Sequence, residues 1–235
     1  MNLFKSFVVT LLPVFFLGCA ISKSTDGGLT PTIYYKPTVQ QKNAKCSSNS
    51  LRDLLSPDGH TLATLCPDDY KSCLMQGSCF VVDGEKVLSY NYHSTKEGVP
   101  RFIPVDLDKC PYGYGVRSSC LDPYFSVAAD LKYYSPGDVI FIPRLIGAVM
   151  PNGEVHDGYL IVRDSGGGIV GEARFDFFTG FFSHLAKENT LAHLGFGDPK
   201  NRFEFRRATE EEAQEVRARR NYPGLKPKVL LEGRR

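Results

Sequence analysis

Several features are scarce in this chain of 235 residues, and each scarcity removes a class of function. The formal net charge is only +2, and no run of Lys and Arg is interleaved with aromatics, so the electrostatic footprint of a nucleic-acid binder is missing. There is no C-x-x-C motif, and the five histidines show no ligand spacing beside the cysteines, which removes the sequence grounds for a zinc site. No metal or cofactor is expected. Neither Cys120 nor Ser165 has a recognisable base partner, so nucleophilic catalysis has no support. The apolar run Phe7–Leu17 falls short of the roughly 20 residues of a membrane span. Helical periodicity is weak along most of the chain, and no internal repeat or low-complexity tract is present.

What is there begins with that apolar run. Preceded by Lys5 and ending Phe16-Leu17-Gly18-Cys19-Ala20, it has the layout of a secretory signal. Its end resembles a bacterial lipobox, a signal in which the cysteine is diacylated and becomes the new N-terminus. Residues 1–18 are therefore expected to be a lipoprotein signal peptide and Cys19 a lipid anchor in the membrane. Ala20 points to the periplasmic face of the outer membrane, within the cell envelope. An ordinary cleaved signal is the alternative. Six further cysteines, Cys46, Cys66, Cys73, Cys79, Cys110 and Cys120, are an even set in an exported chain and favour disulfides, with the pairing left open.

Residues 19–45 are polar with scattered Gly and Pro and are expected to be a linker; residues 46–72 form a Cys-containing extension, with a short helix expected at "SNSLRDLLSPDG". From residue 73 the texture is β. "CFVVDGEKVLSYNYHS" predicts a hairpin about Asp83-Gly84, and "YFSVAADL", "GDVIFIPRLIGAV", "GYLIVRDS", "EARFDFFTG" and "KNRFEFRRA" predict strands. "FFSHLAKENTLAHLG" is expected to be helical. "TEEEAQEVRARR" predicts a surface helix opened by a Thr209/Glu212 capping box and closed by solvated arginines, within a C-terminal helix and tail over 208–235. Many short strands with glycine-marked turns imply a mainly β fold, closed or nearly closed into a barrel over residues 73–207.

One stretch, "RDSGGGIVGEARFDFFTG", carries the candidate chemistry. An aspartate on a strand among phenylalanines is desolvated if it faces the core, which raises its pKa and lets it donate a proton near neutral pH. Asp176 is so placed by sequence, and Asp164 stands before the glycines Gly166, Gly167 and Gly168, whose backbone can approach a bulky ligand. The plainer alternatives are an Asp-initiated turn at Asp164 and an outward-facing Asp176 on a half-exposed strand. His156 and Asp157 adjoin in a loop and read as loop polars rather than a dyad.

"YGYGVRSSCLDPYFSVAADLKYYSPGDVIFIP", "GYLIVRDSGGGIVG" and "RFDFFTG" together resemble the three-aspartate (3D) domain of peptidoglycan-cleaving lytic transglycosylases, including the C-terminal part of the membrane-bound lytic transglycosylase A family. The matching aspartates are Asp130, Asp164 and Asp176. The resemblance implies a six-stranded double-psi β-barrel and cleavage of glycan strands between N-acetylmuramic acid and N-acetylglucosamine without water, giving a 1,6-anhydro product. It implies Asp176 as the general acid, Asp164 shaping the charge beside it, and Asp130, the three glycines and Thr179 as substrate-binding residues. Where the family commonly has lysine, this chain has Val170. The larger enzymes carry a second domain, for which this chain is expected to have no room. A non-catalytic, expansin-like peptidoglycan binder on the same barrel is the rival reading, and an ordinary hydrolase pairing Asp176 with Asp157 or Asp164 is a third.

Overall fold

The computed structural model describes residues 27–41 and 46–225. The expected signal peptide and Cys19 lie outside the described residues, as does the tail beyond residue 225. Two six-stranded sheets account for the architecture, each with its own apolar core.

The chain enters through β1 (Thr30–Tyr34) and β2 (Thr38–Gln40). A hairpin-like pair follows, β3 (Arg52–Leu55) and β4 (Thr61–Leu65), then helix α1 (Pro67–Gln76). Next come β5 (Ser78–Asp83), β6 (Lys86–Lys96) and β7 (Val99–Pro104). The second half contributes β8 (Ser126–Ala129), β9 (Val139–Phe141), β10 (Tyr159–Asp164) and β11 (Arg174–Phe178). Helix α2 (Thr190–His193), β12 (Arg206–Arg207) and helix α3 (Glu210–Arg219) complete it.

The first sheet runs β1-β11-β8-β10-β9-β12 and the second β2-β5-β6-β7-β3-β4. The two ends of the first sheet approach through one isolated bridge, in which Leu29 N–H donates to the Phe203 carbonyl at 2.8 Å. Its core face is made by alternate residues, among them Val127, Ala129, Leu160, Val162, Phe175 and Phe177, all at most 3% exposed. The second sheet buries Leu54, Leu65, Val81 and Phe102 around the Cys73–Cys79 disulfide. That bridge, together with Cys46–Cys66 and Cys110–Cys120, settles the pairing that the sequence left open.

Several expectations change. The expected linker holds β1 and β2, because "TPTIYY" alternates and pairs in parallel with β11, while "TVQ" pairs in parallel with β5. The expected short helix near residue 50 is one 3-10 turn, Ser48–Ser50, running into a strand whose Leu54 fills the second core. Strands over residues 78–104 do not join the first sheet as one barrel; they pair with β2 and β3 in the second sheet. The helix expected after Gly180 is confined to α2, capped by Asn189, whose carbonyl oxygen accepts from Ala192 N–H.

Helix α3 starts as its capping box requires: Thr209 Oγ1 accepts from Glu212 N–H at 3.2 Å and Glu212 accepts from Thr209 N–H at 2.8 Å. Of its arginines, Arg219 stays on the solvated face the sequence suggested, Arg217 is half-buried and Arg220 is buried. Ala213 and Val216 seat the helix on Val139 and Ile161, a contact worth about 1.5–3 kcal/mol for burying the valine. Arg217 donates to the Gly137 carbonyl, Arg219 pairs with Asp157, and Arg220 is buried against Asp122 and Glu154 at 2.7 and 2.5 Å.

Candidate active site

On the first sheet, β11 alternates from Arg174 to Phe177, and Phe178 at its end is buried as well. Phe175 and Phe177 point into the core, so Asp176 points to the other face. The sequence expectation placed the desolvation of Asp176 in these flanking phenylalanines. The pleat sends them away from it, because successive side chains on a strand leave opposite faces.

Strand register then builds a row. Thr32 on β1 pairs with Asp176 on β11, Asp176 with Ala128 on β8, and Ala128 with Asp164 on β10. The last pairing depends on a β-bulge. Val162 opposes Val127, yet Asp164 opposes Ala128, so Arg163 is the extra residue on β10. Regular alternation would leave Asp164 on the core face with Leu160 and Val162; the bulge re-aims it toward the row. Two carboxylates thus flank one methyl group, two strand spacings apart, or about 10 Å between backbones.

Both carboxylates are half-buried and each receives a hydroxyl from β1. Thr32 Oγ1 donates to Asp176 Oδ1 at 2.6 Å, and Tyr34 Oη donates to Asp164 Oδ2 at 3.0 Å. Burial pushes Asp164 up from 3.8 to about 6, opposed by hydrogen bonds from Ser165 N–H and Tyr34 and helped by the charge of Asp176. Burial also raises Asp176, opposed by the Thr32 hydroxyl and the Arg174 guanidinium. Burial and the two aspartates push the Tyr34 phenol well above its ordinary value, which keeps it a donor. Two interacting carboxyls with raised pKa values favour a state in which one holds a proton and the other is charged, the condition for an acid beside an anionic stabiliser.

The other expected residues are distributed around this row. Asp130, at the end of β8, is 9% exposed, and its two oxygens accept from Lys132 N–H at 3.0 Å and Gly171 N–H at 2.9 Å. Those bonds hold its carboxyl below the usual range and tie β8 to the loop that carries the glycines. Gly166, Gly167 and Gly168 are exposed, none has a positive φ, and a Cβ at Gly167 or Gly168 would meet nothing within 4 Å among the described residues. The fold itself does not require glycine at those two positions. Thr179 is fully buried, its hydroxyl donating to the Phe182 carbonyl at 2.6 Å, so it supports the turn after β11 and does not reach outward to a ligand. His156 is 1% exposed and stacked on Phe125, its Nδ1 accepts from Gly158 N–H, and burial lowers it to about 4; Asp157 turns to Arg219 instead.

Sequence reasoning missed Thr32, Tyr34 and Ala128. The alternation of "TPTIY" was the available signal for the first two. It also missed an aromatic array between the sheets, in which Tyr34 contacts Phe178, Phe178 contacts Tyr112, and Tyr112 contacts Phe181, itself against Phe80 of the second sheet. Phe181 is 49% exposed, so the array borders solvent.

The 3D domain family matches residues 125–189, the segment that holds Asp130, Asp164 and Asp176. In this segment the chain is similar to 3D domains. Two solved structures extend the comparison beyond it. The chain is similar to E. coli MltA with bound chitohexaose at 15% identity and a TM-score of 0.51, over 77% of this chain and 71% of that one. It is similar to a membrane-bound lytic murein transglycosylase from Agrobacterium tumefaciens at 14% identity and a TM-score of 0.54, over 82% and 77%. At these identities the likeness is one of fold. It spans more of the chain than the matched segment alone. No curated protein matches the chain in sequence.

Proposed function

We propose that this protein is a lytic transglycosylase of peptidoglycan, with Asp176 as general acid. The observation that carries the proposal is the row Thr32–Asp176–Ala128–Asp164, in which two carboxyls with raised pKa values face one strip of sheet bordered by aromatic rings. The similarity to 3D domains and the fold shared with lytic transglycosylases, one of them holding chitohexaose, support this substrate class.

In the proposed reaction, protonated Asp176 gives its proton to the glycosidic oxygen between N-acetylmuramic acid and N-acetylglucosamine. The bond from that oxygen to the muramyl anomeric carbon breaks, its electron pair going to the oxygen. The muramyl 6-hydroxyl oxygen bonds to the anomeric carbon, and its proton returns to Asp176, so no water is consumed and the acid is regenerated. Asp164, when ionised, stabilises the positive charge that develops at the anomeric carbon. Asp130 holds the glycine loop through Gly171, leaving the backbone of Gly166, Gly167 and Gly168 open to the glycan. Tyr112 and Phe181 offer faces for sugar rings. The double-psi barrel expected over residues 73–207 enters the proposal moved to the first sheet, with the Leu29–Phe203 bridge as its closure. It also includes attachment of the protein to the envelope through a lipid on Cys19.

Digestion of purified peptidoglycan, with mass analysis of the released muropeptides, tests this. Anhydro-muramyl products that vanish with Asp176→Asn are expected, since a positioned acid contributes about 10²–10⁴-fold. Binding without release would replace the proposal with the non-catalytic binder, and reducing ends carrying added water would replace it with a hydrolase. Unchanged membrane partitioning of Cys19→Ala would remove the anchor.

A further inference from the structure

Arg163 is the extra residue of the bulge that turns Asp164 into the row, and it is also the largest fully buried side chain among the described residues. A buried guanidinium is costly unless its donors are met. Here the fork gathers backbone oxygens from two distant segments. Nη1 shares its two protons among the carbonyls of Cys120 at 2.8 Å, Gly224 at 2.8 Å and Pro223 at 3.2 Å, and Nη2 donates to that of Arg220 at 3.4 Å, while Nε meets no partner among the described residues. The ring of Tyr222 lies 5.0 Å away.

The backbone of the bulge is held as well. Ser119 Oγ donates to the Arg163 carbonyl at 2.8 Å. Gly115 packs so closely on that carbonyl that a Cβ there would overlap it, so the glycine is required by the approach. Ser119 and Gly115 belong to the loop closed by Cys110–Cys120, and Cys120 N–H donates to the Pro223 carbonyl at 2.8 Å. The disulfide loop, the segment after α3 and the bulge therefore meet at one side chain.

We infer that Arg163 is a positioning residue: by cross-linking the disulfide loop and the chain after α3 to the β10 bulge, it fixes Asp164 opposite Ala128. A planar fork reaching four carbonyls at once does what the point charge of a lysine does not. Residues 220–224, outside the matched 3D segment, thereby support its carboxylate row.

The inference rests on the reading of Asp164 as part of the glycan site, but its test does not need turnover. Asp164 is followed by carboxyl ¹³C NMR titration in the full chain, in Arg163→Lys and in Ser119→Ala. The titratable and charged groups near the carboxyl are Tyr34 and Asp176; those near Arg163 are Asp122, Arg220 and Tyr222. Ser119→Ala alters none of them, so a change there reports placement. In both variants the Asp164 titration is expected to move from about 6 toward the ordinary carboxylate range. If the protein turns over glycan, kcat should fall by about a hundredfold for a misplaced group, with KM little changed. Folded variants whose Asp164 titrates as in the parent would overturn the inference. Should Arg163→Lys fail to fold, Ser119→Ala alone decides. A parent that releases no anhydro product defeats the proposed function and leaves this titration to be read on its own.

Discussion

Asp176 and Asp164 face the same residue, Ala128, from opposite sides of strand β8. Ala128 stands between the two strands that carry the carboxyls, and β1 supplies a hydroxyl to each. The row is thus a property of four strands, and its members respond separately to substitution.

The Thr32 hydroxyl stabilises the charged form of Asp176. Thr32→Val keeps the shape and removes the donor, so the pKa of Asp176 should rise further. The alkaline limb of the pH profile of kcat/KM should then move to higher pH. A limb that stays in place would show that Asp176 is not the titrating acid.

Asp164 should cost stability at neutral pH. Its folded pKa of about 6 lies above the ordinary 3.8, so between these values the folded state binds the extra proton. The associated stability is fully present below 3.8 and is lost as pH rises through about 6. Asp164→Asn should therefore raise Tm relative to the parent above this window and bring no comparable gain below it. Thermal unfolding across pH 3 to 8 measures the difference, and a gain independent of pH would contradict the assignment.

Lys36 gives the opposite sign. It is fully buried, its Nζ donates to Ser89 Oγ at 2.7 Å and lies 4.6 Å above the Phe80 ring, and burial lowers it from 10.5 to about 7. The unfolded chain keeps this proton up to 10.5 while the folded one releases it near 7, so stability should rise with pH across that interval. The parent-minus-variant difference for Lys36→Met, from denaturant unfolding at several pH values, should show this slope; a flat difference would count against it.

Arg220 is 6% exposed and shared by Asp122 and Glu154. Arg220→Met leaves the Asp122 carboxylate buried without its partner and should cost about 3–5 kcal/mol in urea unfolding. Adding Asp122→Asn should recover part of that loss, because the two residues act as one unit.

Much of the local structure was legible in the chain: the hairpin at Asp83-Gly84, the capping box of α3, the strand at "RFDFF" and the two aspartates that bracket the glycines. These signals are short-range, set by turn chemistry, capping and the two-residue period of a strand. What surrounds the aspartates was not legible. Thr32 and Tyr34 reach them across 144 and 130 residues, from a segment whose polar composition suggested a linker. The bulge at Arg163 interrupts a regular alternation and is invisible until Val127 and Ala128 lie alongside it. The second sheet and the buried arginine after α3 are likewise consequences of which strands become neighbours. The sequence by itself determined that strands form and that carboxylates stand on them. Only the tertiary structure decided which face each carboxylate meets, because strand pairing is fixed by burying apolar faces common to distant segments, and no local period carries that information.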